Sequence, residues 1–248
     1  MKDLIEKIVK NEVLAEEEST FYYRSPLIGY ASCQNPLFLK LKEVANPEHL
    51  MPQDLLPGAK TAVAIFLPYT REIIESNKEG LYPSELWAKA YVKTNKLLWR
   101  IITKIKEELQ TLGYNAEGLM PTYQFDKKIL KAIWSHKHVA YIAGLGTFGL
   151  NNLLITPLGS GGRFASFVTD LELPANKTLT PYLQCDREKG CTYCLDICPV
   201  GALKDDNTAF DRQRCYAWCV QCGEVFKDSF PVEICGKCAT GPCAYREL

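Results

Sequence analysis

Apolar positions along this chain of 248 residues switch between helical and strand-like spacing. The first ten residues place Leu4, Ile5, Ile8 and Val9 on one face, which predicts an amphipathic helix at the N-terminus. Residues 61–67, Thr-Ala-Val-Ala-Ile-Phe-Leu, form a short apolar run between Gly58 and Pro68 and predict a buried strand. A long helix is predicted from Ser84 to Leu112. Its buried stripe would be Trp87, Tyr91, Leu98, Ile101, Ile102, Ile105, Leu109 and Leu112, with Gly113 just past the end as the stop. Val139 to Ala143 is a second buried stretch, and Arg163 to Leu173 is a third strand candidate. The chain shows no internal repeat and no low-complexity segment. Helices and strands follow a mixed order rather than a strict strand–helix–strand repeat, so the expected class is α+β.

Cysteine usage divides the chain. Ten of its eleven cysteines fall between Cys185 and Cys243. The change near Leu173-Pro174-Ala175-Asn176 predicts two domains, residues 1–175 and 176–248. Lysine plus arginine and aspartate plus glutamate each number 29, so no net charge points to nucleic acid or acidic lipid. No signal peptide is visible and no apolar run approaches the ~18 residues of a membrane helix. A cytoplasmic protein with no membrane association is expected. In that reducing compartment dense cysteines imply metal rather than disulfides. Cys33, alone in the first part, reads as an inert core thiol.

The run Cys185-x5-Cys191-x2-Cys194-x3-Cys198-Pro199 ends in the pattern of a ferredoxin-type cluster loop. In two-cluster ferredoxins the last cysteine of such a run ligates the other cluster, and a second set follows here at Cys215, Cys219, Cys222, Cys235, Cys238 and Cys243. Three readings stand side by side. One is a pair of 4Fe–4S clusters. Another is a zinc ribbon at Cys219-x2-Cys222-x12-Cys235-x2-Cys238, whose spacing suits a structural four-cysteine site. The third is a radical-SAM triplet at Cys215-x3-Cys219-x2-Cys222, disfavoured because only 26 residues follow it.

Two further stretches, with these cysteines, carry a resemblance. One is His49-Leu50-Met51-Pro52-Gln53-Asp54-Leu55-Leu56-Pro57-Gly58-Ala59-Lys60 before the apolar strand. The other is Ala143-Gly144-Leu145-Gly146-Thr147-Phe148-Gly149 and the residues that follow it to Thr156. Together they resemble the epoxyqueuosine reductase and corrinoid-dependent reductive dehalogenase superfamily, from about residue 45 onward. The resemblance implies a nitroreductase-like mixed sheet with helices, followed by a small ferredoxin-like iron–sulfur domain. It implies Cys185, Cys191, Cys194 and Cys243 as ligands of one 4Fe–4S cluster, and Cys198, Cys215, Cys235 and Cys238 of the other. Cys219 and Cys222 are left over. It further implies a bound corrinoid (cobalamin) contacted by Gly144, Leu145, Gly146, Thr147, Phe148 and Gly149, where glycine lets the backbone approach a flat macrocycle. The blander readings of that loop are packing glycines or a phosphate-cradling turn. Its Gly-x-Gly-x-x-Gly spacing also fits a dinucleotide fingerprint, but Asp170, the acidic residue nearest the required distance, ends its own strand.

A reductase of this kind needs a proton donor at the cofactor, and the resemblance points to Tyr123 and Asp126 as catalytic candidates. Asp126 fits a helix N-cap equally well. His136 and His138 would share a face on an extended segment and could then meet a ligand. Arg163 could pair with a carboxylate or phosphate of a cofactor. The expected activity is that of an iron–sulfur oxidoreductase. A ferredoxin or flavodoxin would supply electrons, two clusters would carry them to the corrinoid, and a small molecule would be reduced. The alternative is an electron-transfer or corrinoid-handling protein that serves a partner corrinoid protein. Epoxyqueuosine reductases carry a C-terminal helical-repeat domain that helps hold tRNA. This sequence stops five residues after Cys243, so that domain is expected to be absent and a nucleic acid substrate is not expected.

Overall fold

The computed structural model describes residues 1–121, 125–126, 128–176, 185–206, 209–229 and 232–247. The main elements in chain order are α1 (Lys2–Leu14), β1 (Leu27–Ser32), α2 (Leu37–Val44), β2 (Thr61–Pro68), α3 (Glu85–Thr111), β3 (Ala116–Gly118), α4 (His136–Ile142), β4 (Gly162–Thr169) and α5 (Arg212–Glu224). The four strands form one sheet in the order β1-β2-β4-β3. Every neighbouring pair is antiparallel, where a mixed sheet was expected. The α+β class holds.

The central strand explains why its sequence reads as an unbroken apolar run. Val63 lies between Tyr30 of β1 and Phe167 of β4, and helices cover both faces of the sheet. Val63, Ile65, Leu67, Ala165 and Phe167 pack with α1 and the long helix α3. Ala62, Ala64, Phe66 and Val168 pack with α2, α4 and Trp134. A strand covered on both sides loses the apolar–polar alternation of a half-exposed one.

Helix α3 follows its predicted bounds closely. Ser84 caps it by accepting a hydrogen bond from the Trp87 backbone N–H at 3.0 Å. At its other end the Gly113 N–H donates to Gln110 and the Tyr114 N–H to Leu109, with Gly113 at φ +81°. This is a Schellman stop, which needs the left-handed residue that glycine supplies. Leu112, expected in the buried stripe, is exposed because it stands at that stop.

Val139 to Ala143 is buried except for Tyr141, and it is helical, ending α4 across β2 and β4 with Ala143 as the cap. A short apolar run does not distinguish the two conformations. Strand β4 ends at Thr169 rather than Leu173. Asp170 turns aside to accept from the backbone and side-chain N–H groups of Asn115 at 2.9 and 2.8 Å. The cysteine-rich segment packs into the same apolar cluster as α1 and α3, through Phe226, Val232, Ile234, Ala239 and Ala244. Among the described residues no helix is long and apolar enough to cross a membrane.

Candidate functional site

The cysteines of the C-terminal segment lie in two adjoining groups. Cys185, Cys191, Cys194 and Cys243 line one recess together with Cys238. Burial pushes the Cys194 thiol up to about 11, and Cys243, Cys185 and Cys191 push it the same way. The second group is Cys198, Cys215, Cys219, Cys222, Cys235 and Cys238. Burial raises Cys238, and Cys235, Cys215, Cys198 and Cys194 add to the shift. Cys238 therefore neighbours both groups. Raised in this way, the Cys194 and Cys238 thiols stay protonated until a metal takes their protons' place.

Local hydrogen bonds fix each ligand-bearing loop. The Ala202 N–H donates to Cys198 Sγ at 3.3 Å. The Cys243 carbonyl accepts from the Ser160 N–H at 2.9 Å. The Cys238 carbonyl accepts from Asn151 Nδ2 at 2.9 Å, and the Cys235 carbonyl from Asn77 Nδ2 at 3.0 Å. Lys237, almost wholly buried, sends its ammonium to the carbonyls of Asn77 at 2.9 Å and Glu79 at 2.6 Å. These contacts tie the cysteine loops to the sheet domain.

The donor set fits iron–sulfur clusters. Among the described residues no three His, Cys, Asp or Glu side chains converge closely enough for a single metal ion. A cube spreads its four thiolates over four irons. One buried indole N–H, that of Trp87, has no hydrogen-bond partner among the described residues and lies against Gly236. The Trp218 indole N–H reaches the Cys235 thiol. Cluster sulfur is the kind of acceptor that an orphaned donor requires. The radical-SAM spacing falls inside α5, so those three cysteines do not form a loop. Cys33 is buried and its thiol is pushed up to about 12 by burial.

A cleft of about 350 Å³ opens beside the thiols, between the start of α4, the start of β4 and the hairpin that pairs Phe125–Asp126 with Lys131–Ala132. Leu119, Met120, Phe125, Trp134 and Phe164 give it apolar walls, and Ser135, His136, Lys137, Ser160 and Arg163 give it polar groups. Ser160 joins the cleft directly to Cys243. Helix α5 docks on the hairpin, where Gln213 Nε2 donates to the Lys128 carbonyl at 2.7 Å and Tyr216 meets Phe125 edge-on.

Arg163 lies in this cleft. Its Nε donates to Asn95 Oδ1 at 3.1 Å, and its guanidinium stacks 4.1 Å from the centre of the Tyr91 ring. A planar fork held in this way suits a carboxylate or phosphate. His136 and His138 do not share a face, because the segment is helical. Trp134 Nε1 donates to Ser166 Oγ at 2.9 Å, and the Ser166 hydroxyl lies 2.8 Å from His136 Nδ1. The Ser166 hydroxyl can donate to Nδ1, and in that tautomer Nε2–H is a donor rather than a metal ligand. Burial, with Arg163 and His49, pushes His136 down to about 3. His138 bonds Ser135 Oγ at 2.7 Å and packs on the Phe148 ring, and burial with Lys137 lowers it to about 4.

Lys137 is the cleft residue that sequence reasoning passed over. It reaches both this cleft and a neighbouring recess, and its Nζ donates to the Asn152 carbonyl at 2.7 Å. Burial lowers it to about 8. Only the fold buries it, and no sequence signal marks it.

The glycine loop lies against the protein itself. Gly144, at φ +75°, closes α4 in a second Schellman stop, its N–H donating to Tyr141 and that of Leu145 to Ala140. A Cβ on Gly146 would stand 2.2 Å from the Ile155 carbonyl, and one on Gly149 would stand 2.8 Å from Ile155 Cδ1. Leu145 is buried. Thr147 and Phe148 pair with Leu154 and Ile155, and Phe148 lines the second recess. The loop follows a helix and enters a hairpin, the reverse of the strand–loop–helix order that dinucleotide binding uses. Tyr123 lies outside the described residues. Of Asp126 the backbone is described, in a strand pair with Lys131.

No family model matches the chain. An epoxyqueuosine reductase of Bacillus cereus is 28% identical over 177 residues, which take in 68% of this chain and 42% of that protein. The chain is similar to epoxyqueuosine reductases. It spans less than half the length of that curated relative. An epoxyqueuosine reductase solved with an epoxyqueuosine-modified tRNA stem loop superposes with a TM-score of 0.58 at 20% identity, covering 96% of this chain and 66% of that one. A reductive dehalogenase, solved in connection with B12-dependent dehalogenation, gives 0.52 at 18% identity, covering 72% of this chain and 23% of that one. The superfamily resemblance read from the motifs is thus borne out, and the fold is that of these proteins. One of them binds a tRNA stem loop, against the expectation drawn from a neutral charge total.

Proposed function

We propose that this chain is an iron–sulfur oxidoreductase of the epoxyqueuosine reductase type, with two 4Fe–4S clusters in a ferredoxin-like segment and a corrinoid in the cleft. The observation that carries the reading is the adjacency of the two thiol groups to each other and, through Ser160 and Cys243, to the cleft wall. Cys185, Cys191, Cys194 and Cys243 would hold one cluster. Cys198, Cys215, Cys235 and Cys238 would hold the other. A bound corrinoid would supply a strongly reducing metal centre. Around it, Arg163 orients an anionic group of cofactor or substrate, the His136 Nε2–H donates a hydrogen bond, and the apolar walls exclude water. Phe148, which lines the neighbouring recess, is the loop residue that would contact the cofactor. Asp126 or Tyr123 would hold the proton that reduction consumes, and Lys137 is a third candidate for it.

The electron donor in this reading is a ferredoxin or flavodoxin. The relative bound to a tRNA stem loop restores tRNA as a substrate class alongside a small molecule, because a neutral total does not exclude a local basic face. The test is anaerobic titration of the reconstituted protein with cob(II)alamin, followed by EPR. A base-off signal saturating at one corrinoid per chain is expected, and an unchanged spectrum at micromolar protein would sink the corrinoid assignment. Turnover of an epoxyqueuosine-modified stem loop, compared with small electrophiles, then separates the two substrate classes.

A further inference from the structure

Helix α5 carries two cysteines that the ligand sets above leave over, Cys219 and Cys222. They do not sit as idle core thiols. Cys215, Cys219 and Cys222 are spaced i, i+4 and i+7, which is one face of a helix. Cys219 meets Cys215 thiol to thiol, and Cys222 meets Cys235 in the same way. Cys219 also neighbours Cys235. Six thiols therefore neighbour one another in a group where a 4Fe–4S cube needs four. The first group, by contrast, brings four plus the shared Cys238.

We propose that Cys219 is an interchangeable ligand of the second cluster, able to hold the iron that Cys215 holds. This rests on the two-cluster reading above. Cys215 and Cys219 lie one turn apart on the same helix, and their thiols hydrogen-bond to each other, so exchange needs side-chain rotation and no movement of the backbone. The exchange is neutral in electrons. Cys219 Sγ bonds to iron and releases its proton, while Cys215 Sγ leaves the iron and takes a proton up. Such a site keeps its cube when one corner lets go.

The test compares the anaerobically reconstituted full chain with Cys215→Ala, Cys219→Ala and the double variant, by iron and zinc content and by EPR of the reduced protein. The unsubstituted chain and both single variants are expected to hold about eight irons, and the double variant about four. The Cys215→Ala spectrum should differ from that of the unsubstituted chain, because a different thiolate holds the corner. A drop to about four irons in Cys215→Ala alone would overturn the proposal. Cys215→Ser covers the case in which the alanine variant does not fold. With Cys219 at the corner its cluster is ligated only by sulfur, whereas a spectrum of oxygen ligation would show that Cys219 does not take over. About four irons plus one zinc in the unsubstituted chain would refute the two-cluster reading itself, before any variant is compared.

Discussion

The three histidines show how far a residue's role depends on its neighbours. From the sequence, His136 and His138 could meet a ligand or cobalt if the segment were extended, with satisfied polar packing as the blander reading. On a helix they diverge, and each meets a hydroxyl. His49 accepts from the Ser135 N–H at Nε2 and lies 2.8 Å from the Leu50 carbonyl at Nδ1, so it braces the start of α4. Burial keeps all three neutral forms favoured. This has a consequence for acid stability. The folded values of His136 and His138 are about 3 and about 4, below the ordinary ~6.5. Between those limits the unfolded chain binds protons that the folded chain refuses, so stability rises with pH there. It is complete above about pH 6.5 and is lost as pH falls toward 4 and then 3. Urea midpoints measured from pH 7.5 to 4 should show this decline, and His138→Gln should make it shallower. Arg163 carries the complementary prediction. Arg163→Met should weaken cob(II)alamin binding by roughly tenfold, as loss of one charge-assisted contact does. Unchanged EPR titration midpoints would remove Arg163 from the cofactor site.

At the level of elements, the sequence was most legible where one physical rule acted alone. Helix α3 announced itself through its apolar stripe and its glycine stop, and the structure adds a serine cap. Strand β2 announced itself through an apolar run bounded by glycine and proline. Ser84→Ala should therefore lower stability by about 1 kcal/mol, the usual worth of a cap, readable as a shift in the thermal midpoint. Legibility failed where two rules predicted the same pattern. The five residues from Val139 to Ala143 are too few to reveal a period, and burial by the sheet made the helix look like a strand. The glycine loop failed differently. Its glycines are required, but by helix termination at Gly144 and by the close approach of Ile155 to Gly146 and Gly149, needs that no spacing rule distinguishes from a ligand's. Gly146→Ala sets a Cβ against backbone that cannot yield, so it should cost on the order of 1–3 kcal/mol. Gly190→Ala meets no atom within 4 Å and should cost only the left-handed strain at φ +85°, about 1 kcal/mol. Comparing the two unfolding midpoints, each without added corrinoid, tests whether packing sets the requirement at Gly146. No loss at Gly146 would return that glycine to a role outside the fold.

For the whole molecule, cysteine content suggested a division near residue 175, and the packing shows what composition does not. Phe226, Val232 and Ile234 enter the apolar cluster of α1 and α3, while the loops between them are held largely by hydrogen bonds to the sheet domain and by whatever the thiols bind. The cysteine-rich segment thus has little core of its own, and small segments of that kind depend on metal for their order. A cluster that binds only the folded form adds its binding free energy to folding. Stripping iron anaerobically with a chelator should therefore raise amide exchange most across residues 185–206 and 232–247. Exchange should rise less in β2 and β4, whose pairing is independent of the thiols. Because the apolar cluster is shared, the effect should also reach α1 and the start of α3, which pack against that cluster. Phe226→Ala, which opens a cavity at the junction, should reproduce part of the same pattern with iron still bound and cost about 3–5 kcal/mol. Hydrogen exchange read by mass spectrometry distinguishes the possibilities. Loosening confined to the cysteine segment would mean that the junction transmits nothing and the two parts fold separately. Loosening that spreads into α1 and α3 would mean that the clusters stabilise the whole protein, so that the electron route and the sheet domain beneath the cleft are gained and lost together.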